Sequence, residues 1–319
     1  MKKNIDRFYK STWGVFSHYL DRFQNNPELP NSYRLCTDWN SCVNDFDVKL
    51  MARQLHELEA GYYCITIMQG SAHLIAPNET FDKIAGTKPG EACAIRDLPM
   101  ELADELSKYD IDLYLYFTGD GPYKTEEIGK KFGYIESRFE NLNGEFIKKW
   151  ASVLEEYAVR YGDKVKGWWI DGCYDYFQYN NDRLLPYKKA IEKGNPDAIV
   201  TFNNGEIGGF RAQWDYEDYI CGEANLLLRQ PQNGRFENGK QNHILAPISS
   251  KDVPWDRWGA VFGCMYDENY IFDYFEAVFQ KGGVITLDIG TFRDGHFDPE
   301  QYMIVKRAYK RYLEKYGRR

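Results

Sequence analysis

Most signatures of familiar chemistries are missing from this chain. Its seven cysteines (Cys36, Cys42, Cys64, Cys93, Cys173, Cys221, Cys264) include no C-x-x-C pair, which argues against a zinc knuckle or a thioredoxin-type site. Their odd number and scatter suit reduced thiols. The charged start Met1-Lys2-Lys3-Asn4-Ile5-Asp6-Arg7 is not followed by an apolar core, so no signal peptide is expected and the cytoplasm is the expected location. The five histidines (His18, His56, His73, His243, His296) include no H-x-x-x-H pair, and no metal site is expected. There is no G-x-S-x-G elbow, which disfavours Ser-His-Asp hydrolysis. Gly205-Glu206-Ile207-Gly208-Gly209 lacks the G-x-G-x-x-G spacing of a dinucleotide loop. No apolar run approaches the roughly 18 residues of a membrane span. No basic stripe offsets the net charge of −8, so nucleic acid and membranes are not expected partners. Repeats and low-complexity tracts are also lacking. The one polar, Gly/Asn-rich stretch, Asn233 to Gln241, reads as a surface connection rather than a lid.

What is present is length, aromatics and alternation. A chain of 319 residues suits one large α/β barrel, here a single domain over 1–319, with a core that needs no staples. Aromatic residues make up 16%, enough for both a ring-rich core and a cleft that stacks on sugars. Eight strand-like runs are expected: Gly14 to Tyr19, Tyr62 to Met68, Asp112 to Phe117, Val165 to Asp171, Ala198 to Phe202, Tyr219 to Gly222, His243 to Ala246 and Val284 to Asp288. Helical patterns separate most of them, among them Asp45 to Ala60, Leu98 to Tyr109, Leu184 to Lys193, Tyr270 to Phe279 and Pro299 to Tyr316. Alternation argues a parallel sheet, and eight strands argue a (β/α)₈ TIM-like barrel over an open doubly wound sheet.

In such a barrel the chemistry sits at the carboxyl ends of the strands. Those ends carry His18, Gln69, Phe117 with Thr118, Asp171, Asn203 with Asn204, Glu223 and Asp288. Asp171 is the most pointed of them. Trp168-Trp169-Ile170-Asp171-Gly172 reads as a buried strand that ends in a carboxylate, with glycine to turn the chain away. The two tryptophans must alternate in facing, so only one can point into the barrel. Three carboxylates in a polar set meet the minimum for glycoside hydrolysis, which needs one ionised and one protonated carboxyl.

Several segments together resemble the α-L-fucosidases of glycoside hydrolase family 29. Trp13-Gly14-Val15-Phe16-Ser17-His18-Tyr19 looks like that family's K-F-G-x-F-x-H-W-G, with His18 as the sugar-binding histidine. Asp38-Trp39 stands where the family often carries a sugar-contacting Glu-Trp. Arg96-Asp97-Leu98 matches its R-D-L. Val165 to Gly172 resembles V-x-x-x-W-x-D-G, whose Asp is the nucleophile, and Ala198 to Asn204 resembles the strand that ends near V-N-x-R. Glu217 to Glu223 is similar to G-D-Y/F-x-x-x-E, whose last Glu often serves as acid/base. Lys281 to Gly290 resembles K-G-G-N-x-L-L-N-x-G.

The resemblance implies a retaining exo-glycosidase without cofactor, acting on a carbohydrate. Asp171 would be the nucleophile and Glu223 the acid/base, with Glu206 and Glu217 as rivals for the second role. His18, Asp38, Trp39, Gln69, His73, Phe117, Trp169, Asn204 and Asp288 would contact the sugar. The chain also departs from the family pattern. Met68-Gln69-Gly70-Ser71-Ala72-His73 replaces a His-His-Asp-Gly-Phe run, the arginine near Asn204 is absent, and Asp288 replaces an Asn. The chain stops after the last barrel helix, so the family's common C-terminal β-sandwich is expected to be missing. Two alternatives stay open: a glycosidase for a galactose-type sugar, and a non-catalytic carbohydrate-binding barrel. Oligomeric state is not legible.

Overall fold

The computed structural model describes residues 2–134, 142–206, 211–232, 234–254 and 256–319. Among these residues nine strands follow in chain order: β1 (Trp13–Ser17), β2 (Tyr62–Thr66), β3 (Asp112–Thr118), β4 (Val165–Asp171), β5 (Ile199–Phe202), β6 (Phe236–Glu237), β7 (Lys240–Gln241), β8 (His243–Pro247) and β9 (Val284–Asp288). Seven of them form one parallel sheet in the order β5-β4-β3-β2-β1-β9-β8. Helices line its outside, giving the α/β, TIM-like barrel that the alternation predicts.

The expected eighth strand, Tyr219 to Gly222, is not a strand. Gly222 turns with φ +68°, and its Cα lies so close to β8 that an added Cβ would meet the His243 carbonyl oxygen. The segment still closes the barrel. Asp218 N–H donates to Val200 O on β5 (2.8 Å), and Leu245 N–H on β8 donates to Gly222 O (2.9 Å). Side-chain chemistry at Glu217 and Glu223 therefore hangs on an irregular seam between two regular strands.

Alternation along each strand divides the core into two layers. Phe16, Tyr62, Cys64, Tyr114, Tyr116, Trp169 and Leu245 fill the barrel interior. Leu113, Leu115, Phe117 and Trp168 face outward to the helices. An N-terminal helix that the sequence pattern did not suggest, Lys3–Ser11, plugs the amino-terminal mouth of the barrel. Its Phe8 ring sits 4.9 Å from Tyr219 and 5.1 Å from Tyr62. With that end sealed, the carboxyl end is the open one.

The Gly/Asn-rich stretch forms the β6–β7 ribbon, with Asn238 and Gly239 both at positive φ, as a two-residue I′ hairpin requires. Arg235 beside it pairs with Asp6 of the N-terminal helix, so the ribbon lies at the sealed end and cannot cover the open one. Asn233, like Ile207, Gly208 and Gly209, lies outside the described residues. All seven cysteines are free. Among the described residues no helix is long and apolar enough to cross a membrane.

Candidate active site

Strand β4 fixes the first carboxylate. Five of its seven residues are buried, and Trp168 and Trp169 pack on opposite sides of the sheet. This leaves Asp171 at the carboxyl end with its side chain in a cavity of about 180 Å³. Gly172 follows at φ +69°, and a Cβ there would meet the Asp120 carboxylate at 2.6 Å, so the turn that frees Asp171 needs glycine. Phe16, His18, Arg22, Gln69, Tyr116, Trp169, Tyr174, Glu223, Leu245, Asp256 and Trp258 complete the wall.

Both oxygens of Asp171 are held. Tyr116 Oη donates to Oδ2 at 2.5 Å, and Gln69 Nε2 reaches the same oxygen at 3.4 Å while donating to Tyr116 Oη at 2.9 Å. Asn203 Nδ2 donates to Oδ1 at 2.7 Å. The same amide nitrogen donates its other proton to Glu223 Oε2. Asn203 Oδ1 accepts from Gly205 N–H at 3.0 Å, which settles which end of the amide faces the carboxylates. Two acceptors on one NH₂ group place the nearest oxygens of Asp171 and Glu223 within about 5 Å of each other.

Burial pushes the Glu223 carboxyl up from its ordinary 4.5 to about 7, and the negative charge of Asp171 pushes the same way. The Asn203 hydrogen bond opposes both. One carboxyl is thus poised to carry a proton near neutrality beside another held by three donors.

The rivals of Glu223 sit elsewhere. Glu217 is also raised to about 7 by burial, but it lies behind the wall, accepting from Gln213 N–H and Trp214 N–H. It holds the seam together and does not line the cavity. Glu206 is exposed and paired with Arg229 and Asn225.

The sugar contacts expected from the sequence divide. His18, Gln69 and Trp169 line the cavity. His18 Nδ1 faces Asp288 Oδ2 at 3.3 Å, and Gly259 N–H donates to that oxygen at 2.6 Å. Asp288 therefore lies behind His18 and orients the ring, which leaves Nε2 for the cavity. Gln69 is also gripped by Arg22, which donates to its Oε1 at 2.8 Å.

The other expected contacts lie outside the wall. Asp38 caps the helix Trp39–Asn44, accepting from Ser41 N–H at 3.0 Å. Trp39 is buried with Nε1 donating to Leu74 O at 2.9 Å, and His73 packs edge-on against it. Phe117 faces the helix layer and stacks on Trp150. Asn204 accepts from Asp175 N–H at 2.8 Å and ties the β4 loop to the end of β5. For Phe117 and Asn204 the neighbouring residue, Tyr116 or Asn203, meets Asp171. A shift of one along a strand swaps the faces, and the strict alternation could have revealed Tyr116. Arg22 comes from the one-turn helix Asp21–Gln24 and Tyr174, Asp256 and Trp258 from loops, and no periodic signal marks them.

No protein-family model matches the chain, and no curated protein matches it either. Solved structures do match. The endo-fucoidan hydrolase P5AFcnA from glycoside hydrolase family 107 aligns at a TM-score of 0.70 and 13% identity, over 98% of this chain and 94% of its own. MfFcnA9, an endo-fucoidan hydrolase of the same family, gives 0.72 at 14%, over 99% and 65%. A family 29 α-L-fucosidase from Bacteroides thetaiotaomicron gives 0.65 at 18%, over 99% and 74%. The chain spans about half of another family 107 structure, MfFcnA4, at 53%. At such identities the likeness is one of fold, and the chain shares its barrel with proteins of both families.

Proposed function

We propose that residues 1–319 form a single catalytic barrel that hydrolyses a glycosidic bond with retention of configuration. The observation that carries this reading is the Asn203 amide, which holds Asp171 and Glu223 together. Retaining glycosidases keep their carboxyls about 5–5.5 Å apart, whereas inverting ones leave about 6.5–9.5 Å for a water. In this reading an Asp171 oxygen attacks the anomeric carbon as the bond to the leaving oxygen breaks. Glu223 gives that oxygen its proton. The resulting carboxylate then takes a proton from water, which displaces Asp171 and regenerates both groups. Trp169, stacked on Tyr116 with centroids 5.5 Å apart, offers an apolar face to the sugar ring. No cofactor takes part, and the free cysteines fit a reducing cytoplasm.

The resemblance of the sequence and the folds of its structural neighbours favour an α-L-fucose-type sugar. One observation favours a second reading, a galactose-type sugar. Gln69, gripped by Arg22, lines the wall in the stretch where the resemblance expects histidines, and His73 lies outside it. A site that hydrogen-bonds each hydroxyl discriminates strongly when one partner changes. A panel of nitrophenyl glycosides assayed with wild type, Asp171→Asn and Glu223→Gln tests both readings. Turnover of the fucoside or the galactoside, abolished in Asp171→Asn, is expected, with the β- or α-anomer retained by NMR. Turnover that survives Asp171→Asn overturns the mechanism.

A further inference from the structure

The cavity around Asp171 is small. Its volume of about 180 Å³ is below the range of roughly 300–1,000 Å³ that takes a drug-sized ligand, so it encloses one sugar ring. Its wall does not stop at the cavity. Tyr174 lines it on the loop after β4, and Tyr176 stacks on Tyr174 with centroids 4.9 Å apart and planes 8° from parallel. Tyr176 is 61% exposed. A single exposed aromatic is ordinary on a protein surface. This one differs because it continues the wall of a polar cleft.

The pair is also held in place. Phe177 is buried and meets the Tyr176 ring edge-on at 4.4 Å. Asn204 anchors the turn through Asp175 N–H at 2.8 Å. Tyr174 lines the same cavity as Asp171 and Glu223, and the charge of Asp171, then burial and the charge of Glu223, push its hydroxyl pKa up. The order outward is therefore carboxylates, Tyr174, Tyr176. A preorganised flat ring costs little entropy to engage, and the apolar face of a pyranose matches it.

We propose that Tyr176, backed by Tyr174, is a second sugar subsite, and that the substrate is an oligosaccharide or polysaccharide chain rather than one terminal sugar on a small aglycone. The first ring's place rests on the function proposed above; the second subsite rests on the tyrosine pair.

Calorimetric titration of Asp171→Asn protein, which cannot turn over, tests the subsite. The probes are L-fucose and D-galactose and the α-linked di- and trisaccharide of each. In one series the longer saccharides are expected to bind at least tenfold tighter than the monosaccharide. Tyr176→Ala in the same background should abolish that gain and keep the monosaccharide affinity, while Tyr176→Trp should keep the gain. Should the alanine variant melt early, Tyr176→Leu, which keeps bulk without a flat face, is expected to lose the gain as well. A gain that survives Tyr176→Ala, no gain with length, or no binding by any probe overturns the proposal. Turnover is scored separately. An active enzyme with no gain overturns the subsite alone, and a Tyr176-dependent gain without turnover overturns the catalytic reading alone.

Discussion

The Tyr116 hydroxyl lies 2.5 Å from Oδ2 of Asp171. It reaches that position because Tyr116 points inward at the end of β3, one strand from Asp171, with its ring stacked on Trp169. A hydroxyl donating to a carboxylate fixes the direction of the other lone pairs. Hydrogen bonds to charged groups contribute about 1.5–3 kcal/mol. Tyr116→Phe keeps the ring and removes the donor, so kcat/KM is expected to fall by roughly 10- to 100-fold, since every 1.4 kcal/mol is tenfold. The melting temperature should fall by no more than a few degrees, because the stack with Trp169 remains. Unchanged kcat/KM would show that the hydroxyl does not aim Asp171.

Asn203 makes a separable prediction. If Glu223 must be protonated to act, kcat/KM falls as pH rises through its pKa, which stands at about 7. The Asn203 bond favours the ionised form, so removing it raises that pKa further. The basic limb of the pH–rate profile in Asn203→Ala should therefore move above that of wild type, with a lower plateau because the two carboxyls are no longer held. A basic limb that stays in place, or moves down, would remove Glu223 from the acid role.

The same carboxyl couples stability to pH. Its folded pKa of about 7 exceeds the ordinary 4.5, so between those values the folded chain holds a proton that the unfolded chain has lost. Stability must then fall as pH rises from about 4.5 to about 7 and stay reduced above. Glu217, raised in the same direction by its own burial, adds to the slope. Glu223→Gln removes one of the two contributions. Melting curves should show a shallower decline for this variant, and a higher melting temperature than wild type above pH 7. Parallel curves for the two proteins would contradict the burial of this charge.

The elements that run on periodicity were legible. β4 and β9 span the residues that the apolar runs predict, and so does the helix Pro299–Tyr316. The seam at 218–224 was readable only as position. Its residues look strand-like, but Gly222 bends them, and the bend depends on the backbone of β8, far away in sequence. The inner wall shows the same division. Asp171 and Trp169 could be placed because a strand alternates, while Phe117 and Asn204 each fall one residue from the side chain that reaches Asp171. Tyr174 and Trp258 arrive on loops, and Arg22 on the one-turn helix Asp21–Gln24, whose paths are set by tertiary packing that no local pattern encodes.

Asp38 separates the resemblance from the geometry. The resemblance makes it a sugar contact, yet here its carboxylate accepts from Ser41 N–H and Ser41 Oγ at the start of the helix Trp39–Asn44. Those bonds hold its pKa below the usual carboxylate range, as expected of a helix cap. Asp38→Ala should therefore lower the melting temperature by roughly 2 °C and leave kcat/KM for the preferred glycoside as in wild type. Asp38→Asn, which can still cap, should melt close to wild type. If both substitutions cut kcat/KM tenfold or more while melting normally, the loop reaches the sugar and Asp38 belongs to the site.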